Sequence, residues 1–129
     1  MFGSIVNKTV AWQNLEARLD ENNKLYIVDN FDLSYQEVDF RDKLVDMTIG
    51  YGYLIVVTNT QCHLYNITTA NSINTPYKFD LKDKVRLILT SPKYFALIDD
   101  NNGLNVYIIL PRFIPMKASR FKALTSLVL

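Results

Sequence analysis

Two apolar runs, YLIVV at 53–57 and YFALI at 94–98, hold matching places in successive stretches of the chain. Their surroundings keep the same offset. LVDMTIG at 44–50 recurs as VRLILTS at 85–91, and HLY at 63–65 recurs as NVY at 105–107. A weaker third copy precedes them, in which LEARL at 15–19 leads into KLYIV at 24–28; Tyr26, Tyr65 and Tyr107 are expected to hold one place in the three units. A period of about 40–45 residues with four strand-sized runs per unit is the mark of a β-propeller.

The middle unit carries all four runs, near Leu44–Ile49, Tyr53–Thr58, Cys62–Ile67 and 76–81. Turn formers separate them: GYG at 50–52 and TNT at 58–60, with DDNNG at 99–103 in the next unit. A strand covered on both faces by neighbouring blades is apolar throughout rather than alternating, and YLIVV has that character. The Gly-His and Trp-Asp markers of common blades are absent, Trp12 being the only tryptophan, so the repeat is divergent. The expected architecture is all-β, with a divergent blade-like unit over 1–42, a four-stranded blade over 43–83 and a blade over 84–115. Residues 116–129 are expected to form a C-terminal tail, a short helix or the start of a further blade. Three blades do not close a ring. The chain therefore reads as an incomplete propeller, whose open blade faces favour self-association or a partner.

Composition narrows the function classes. Fourteen basic residues against thirteen acidic ones leave a formal charge of +1 over 129 residues, which offers no general attraction to nucleic acid or to an anionic membrane. The single cysteine forbids an internal disulfide and fits a reducing compartment. No signal peptide is read at the N-terminus, and VYIILP is far shorter than the ~20 apolar residues that span a bilayer. The sequons at Asn7 and Asn66 then read as chance matches.

The only Cys and the only His are adjacent, at 62 and 63. In a strand, neighbouring side chains point to opposite faces, so the pair is expected to diverge rather than act as nucleophile and base or share a metal. The Asp and Asn residues of DDNNG lack the distal Glu of a calcium loop and are expected to form a hairpin connection with glycine at positive φ. Asp20/Glu21, Asp39/Asp42 and Asp80/Asp83 are acidic pairs at turns and strand ends, where Asp serves the backbone; they are expected on a solvated rim. No glycine pattern cradles a phosphate. No cofactor and no catalytic or metal residue is expected. The best interaction candidate is 112–129. Arg112, Lys117, Arg120 and Lys122 are basic, and Phe121, Leu124, Leu127 and Val128 have the spacing of an apolar helix face. The favoured reading of this segment is instead an outer strand and linker, with the repeat restarting near 126. The candidate protein interface is Arg112, Lys117, Arg120, Phe121, Lys122 and Leu124.

Four blocks carry a family resemblance: AWQNLEARL (11–19), VDFRDKLVDMTIGYGYLIVVTNTQCHLYNI (38–67), NTPYKFDLKDKVRLIL (74–89) and YFALIDDNNGLNVY (94–107). In order and spacing they resemble the β-propeller region of the eighty-kilodalton subunits of intraflagellar transport complex B. FRDKL, QCHLY and NTPYKFDLK are the most specific pieces. NITTANSI (66–73) is longer than the family's usual connection, and the match fades after Tyr107. Such subunits carry two successive propellers and a long helical region, and the resemblance places this stretch near the junction of the propellers. It implies a non-enzymatic scaffold that supports cilium assembly and ciliary cargo transport. Its implied partners are other complex B subunits or cargo, with no nucleic acid and no membrane span. The implied location is the cilium, at the axoneme and basal body on the cytoplasmic side. A propeller from another trafficking scaffold, such as a vesicle-coat subunit, would share the periodicity but not the four blocks. An enzyme would need charged groups converging from several blades.

Overall fold

The computed structural model describes residues 5–38, 40–68, 76–110 and 114–122. They form twelve strands: β1 (Val6–Trp12), β2 (Leu15–Asp20), β3 (Leu25–Asp29), β4 (Tyr35–Val38), β5 (Leu44–Gly50), β6 (Tyr53–Thr58), β7 (Gln61–Asn66), β8 (Tyr77–Asp80), β9 (Val85–Thr90), β10 (Tyr94–Asp99), β11 (Gly103–Leu110) and β12 (Ile114–Lys122). Consecutive strands pair antiparallel in three four-stranded sheets, β1–β4, β5–β8 and β9–β12. The first strands of the sheets lie side by side, with β5 between β1 and β9. This is the blade arrangement of a propeller: each sheet runs outward from an inner first strand, and its face packs on the next sheet.

The packing explains the apolar runs. Tyr53, Ile55 and Val57 of β6 join Val85, Phe95, Leu97 and Tyr107 of the third sheet in one core. Leu54 and Val56, between them in sequence, join Ala17, Leu25 and Ile27 of the first sheet in another. The middle sheet thus has no solvent face along β6, and all six of that strand's residues are buried. The Tyr53 hydroxyl also donates to the carbonyl of Ser91 at 2.6 Å, tying the second sheet to the β9–β10 turn.

The register shows how closely the sheets repeat. Each first strand carries a bulge near its start, between Val6 and Lys8, between Leu44 and Asp46, and opposite Ile98 and Asp99 where Val85 and Leu87 are paired. A bulge re-aims the strand and adds twist. The first unit, the weakest in sequence, is therefore a full blade. One expectation is corrected. Tyr65 pairs with Leu54 and Tyr107 with Phe95, both second residues of their strands, whereas the second residue of β2, Glu16, pairs with Val28. Val28 holds the place of Tyr65 and Tyr107, and Tyr26 lies two residues earlier, in line with His63 and Asn105. The β2–β3 connection is longer than the β6–β7 connection, so counting along the chain mislays the register without changing the face.

The third sheet ends in strand β12, which runs across the expected boundary at 115. Residues 114–122 are thus extended, in line with the favoured reading, and the amphipathic-helix alternative fails there. Eight residues of β12 pair along β11, and that ladder spends their backbone hydrogen bonds between strands rather than within a helix. Residues 123–129, including Leu124, lie outside the described residues, as does Arg112.

Candidate functional site

The outer strands β8 and β12 bound a cleft of about 720 Å³ between the second and third sheets. Its floor is the end of the inter-sheet core, with the Phe79 and Tyr107 rings 4.9 Å apart and the Tyr107 and Phe95 rings stacked at 4.8 Å. Burial pushes the Tyr107 hydroxyl up to about 12. Lys82, Lys117 and Arg120 stand along the walls with Asp80, Asp83 and Asp99.

Lys117 and Arg120 are three residues apart and would point to opposite faces of a regular strand. A bulge at Ala118 prevents this: Tyr107 pairs with Lys117 and Val106 with Ser119, so Lys117 and Arg120 share the cleft side. Of the sequence-derived interface residues, these two line the cleft. Phe121 pairs with Leu104, on the sheet's other face, and is exposed. Lys122 is the last residue of β12, opposite Gly103.

Arg120 is anchored by the DDNNG turn. Its Nη2 lies 3.3 Å from Asp99 Oδ2, which also accepts from Asn105 Nδ2 at 3.0 Å. The other oxygen, Oδ1, accepts from the backbone N–H of Asn101 (3.0 Å) and of Gly103 (2.8 Å). Burial alone would raise the Asp99 carboxyl. The hydrogen bonds from Asn105, Gly103 and Arg120 outweigh it and hold the group below its ordinary value. The expected positive φ belongs to Asn102, at 58°, and not to Gly103. Gly103 is needed for space, because a Cβ there would collide with the Arg120 guanidinium and the Asp99 carboxylate. The first blade has the same turn. Asp20 Oδ1 accepts from the N–H groups of Asn22 and Lys24, each at 2.9 Å, and Asn23 has φ 65°. The pattern Asp-x-Asn-Asn in 20–23 and 99–102 was the sequence signal for this shared turn.

Cys62 and His63 diverge as expected. Cys62 is buried in the core against the third sheet, and burial raises its thiol far above the ordinary value. His63 points to the first-sheet side, with Phe40 5.4 Å from its ring. Its Nδ1 is 3.5 Å from Tyr65 Oη and its Nε2 is 3.3 Å from Gln61 Oε1. Burial, helped by Lys78, lowers its pKa against the smaller opposing pull of Asp42. The acidic pairs serve turns and seams: Asp42 Oδ2 accepts from Thr60 (3.2 Å), and Asp83 Oδ1 accepts from Asn101 Nδ2 (3.0 Å). Asp39 lies outside the described residues. Among the described residues, no three His, Cys, Asp or Glu side chains group as metal ligands, and no helix is long and apolar enough to cross a membrane.

Sheets stacked face to face around neighbouring inner strands, with clefts opening at the rim, define a section of a β-propeller. Solved structures agree at the level of fold. The N-terminal domain of Nup159 superposes with a TM-score of 0.64 at 11% identity, over 94% of this chain and 32% of that one. Human WBSCR16 superposes with a TM-score of 0.65 at 12% identity, over 91% and 38%. The family model described as the IFT80 second beta-propeller matches residues 7–121. The chain belongs to that family. The rat and mouse proteins named "Intraflagellar transport protein 80 homolog" are each 27% identical to it over 115 residues, which is 88% of this chain and 14% of theirs. The chain thus spans about one seventh of the length of these relatives.

Proposed function

We propose that this propeller section works as a non-enzymatic scaffold in intraflagellar transport complex B, supporting cilium assembly and cargo transport through protein–protein contacts. The observation that carries the reading is the family match over residues 7–121. The side chains support it. The lone Cys is buried in a core, the lone His packs against rings, and the seam carboxylates are engaged by turns. The partners are other complex B subunits or cargo, and the location is the ciliary axoneme and basal body on the cytoplasmic side.

The open face of the third sheet is the second support. Leu87, Ala96, Ile98, Leu104 and Val106 share the side facing away from the second sheet, with Met116 and Phe121 exposed beside them. A further blade, a second copy or a partner would cover it. Affinity purification of the tagged parent protein from ciliated cells tests the assignment. Recovery of transport subunits is expected. Their absence, with the bait soluble and expressed, would overturn it.

A further inference from the structure

The connection between β3 and β4 holds two large apolar side chains out in solvent. Phe31 is 89% exposed and Leu33 is 76% exposed. Leu33 also sits at φ 61°, a conformation unfavourable for a bulky side chain. The tip is nevertheless tightly tied. Asp29 Oδ1 accepts from Asn14 Nδ2 (2.6 Å) and from the Phe31 N–H (2.8 Å), and Asp32 Oδ1 accepts from the N–H (2.9 Å) and hydroxyl (2.6 Å) of Ser34. The Asp29 N–H closes the loop on the Ser34 carbonyl at 2.9 Å.

The second blade shows that the fold itself does not ask for an apolar residue there. Asp29 pairs with Leu15 as Asn66 pairs with Tyr53, so the two turns are equivalent. The Asn30 N–H donates to Asn14 O at 2.8 Å, as the Ile67 N–H donates to Gly52 O at 3.0 Å. The Phe31 N–H meets Asp29 Oδ1, as the Thr68 N–H meets Asn66 Oδ1 at 2.9 Å. In the second blade the apolar Ile67 is buried in the core and the polar Thr68 is exposed. The first blade reverses this order. Asn30 takes the inner place, donating to Glu16 Oε1 at 2.7 Å, and Phe31 takes the outer one. In the third blade Leu110 holds that place, pairs with Ile114 of β12 and is only partly exposed.

The surrounding charge is of one sign. Residues 25–40 carry Asp29, Asp32, Glu37 and Asp39 and no Lys or Arg. The flanking cations are committed elsewhere. Lys24 pairs with Glu37, and Arg41 lies in the FRDK stretch (40–43), repeated as LKDK (81–84), that lines the seams between sheets. Arg18, across the sheet, pairs with Glu16.

We propose that this tip docks into another folded protein, with Phe31 and Leu33 entering an apolar pocket whose border carries Lys or Arg side chains that meet Asp29 and Asp32. A preorganised tip loses little freedom on binding, and a buried aromatic is the usual anchor of such a contact. The acidic border disfavours an anionic lipid surface, which attracts basic segments. This inference does not depend on the ciliary assignment.

The test begins with p-benzoylphenylalanine placed at Phe31 in the full-length parent protein, and for comparison at Asn22, exposed in the turn between β2 and β3. Irradiation in cells, with the product sequenced, is expected to join one identified protein to position 31 and not to position 22. The joined peptide should lie at an apolar pocket with Lys or Arg beside it. The purified partner is then titrated against the full chain. Phe31→Thr with Leu33→Asn should weaken binding about tenfold or more. Neither change should lower the denaturation midpoint, because the second blade carries Thr at the first place and Asn accepts positive φ at the second. Asp32→Asn keeps an acceptor for Ser34, and should weaken binding about threefold or more and flatten its dependence on salt. No product at position 31, equal products at both positions, or affinity indifferent to the Phe31 and Leu33 changes would overturn the proposal. So would a product joined to lipid, to a second copy of the chain, or to a site without Lys or Arg.

Discussion

Gly103 and Asp99 hold the third blade's turn together, and each makes a prediction. A methyl at Gly103 has to displace Arg120 or Asp99, so Gly103→Ala should destabilise the chain by about 1–3 kcal/mol in urea denaturation, the cost of overpacking. Asp99 has a folded-state pKa below its ordinary value. Its contribution is present above the unfolded pKa of about 3.9 and is lost as pH falls through the lower, folded value. Asp99→Asn should lower stability at neutral pH and flatten the acid limb of a stability–pH curve; an unchanged acid limb would count against the network. His63 is also shifted down, by burial first and by Lys78 second. The unfolded chain takes up the proton first, so stability should fall as pH drops below about 6.5. His63→Gln should remove that slope, read from midpoints of denaturation across the range.

At the scale of the strand, β6 is covered on both faces. Leu54→Ala opens the core shared with the first sheet and Ile55→Ala the core shared with the third. Each should cost about 2–5 kcal/mol in chemical denaturation, and each should speed hydrogen exchange selectively in the sheet whose core it opens. Much of this was legible in the sequence. The recurrence of YLIVV as YFALI, with matching neighbours on both sides, identifies four-stranded blades, and the unbroken apolar character of these runs marks burial on both faces. Strict side-chain alternation separates Cys62 from His63. The register of Tyr26 was not legible, because it depends on the length of a connection. The cleft-side placement of Lys117 was not legible either, since a bulge leaves no mark in hydrophobic pattern. The role of Gly103 lies in its contact with Arg120 on the neighbouring strand, which local turn rules do not contain. The repeats FRDK/LKDK and Asp-x-Asn-Asn were readable signals of the equivalent seams and turns.

At the scale of the molecule, the two terminal faces differ. The first sheet's open side carries the Arg18–Glu16 pair at 2.8 Å and the Lys24–Glu37 pair at 3.3 Å, whereas the third sheet's open side is apolar. Exchanging Met116 and Phe121 for serine should leave folding intact and reduce concentration-dependent association, as read by light scattering. The central claim is that the sheets are successive blades stacked face to face, with the middle one enclosed. Hydrogen-exchange mass spectrometry of the whole chain tests this most directly. The slowest exchange should fall in β6 and β7, with faster exchange in the outer strands β4 and β8. Equal protection across the three sheets, or strongest protection in the outer strands, would contradict the propeller arrangement.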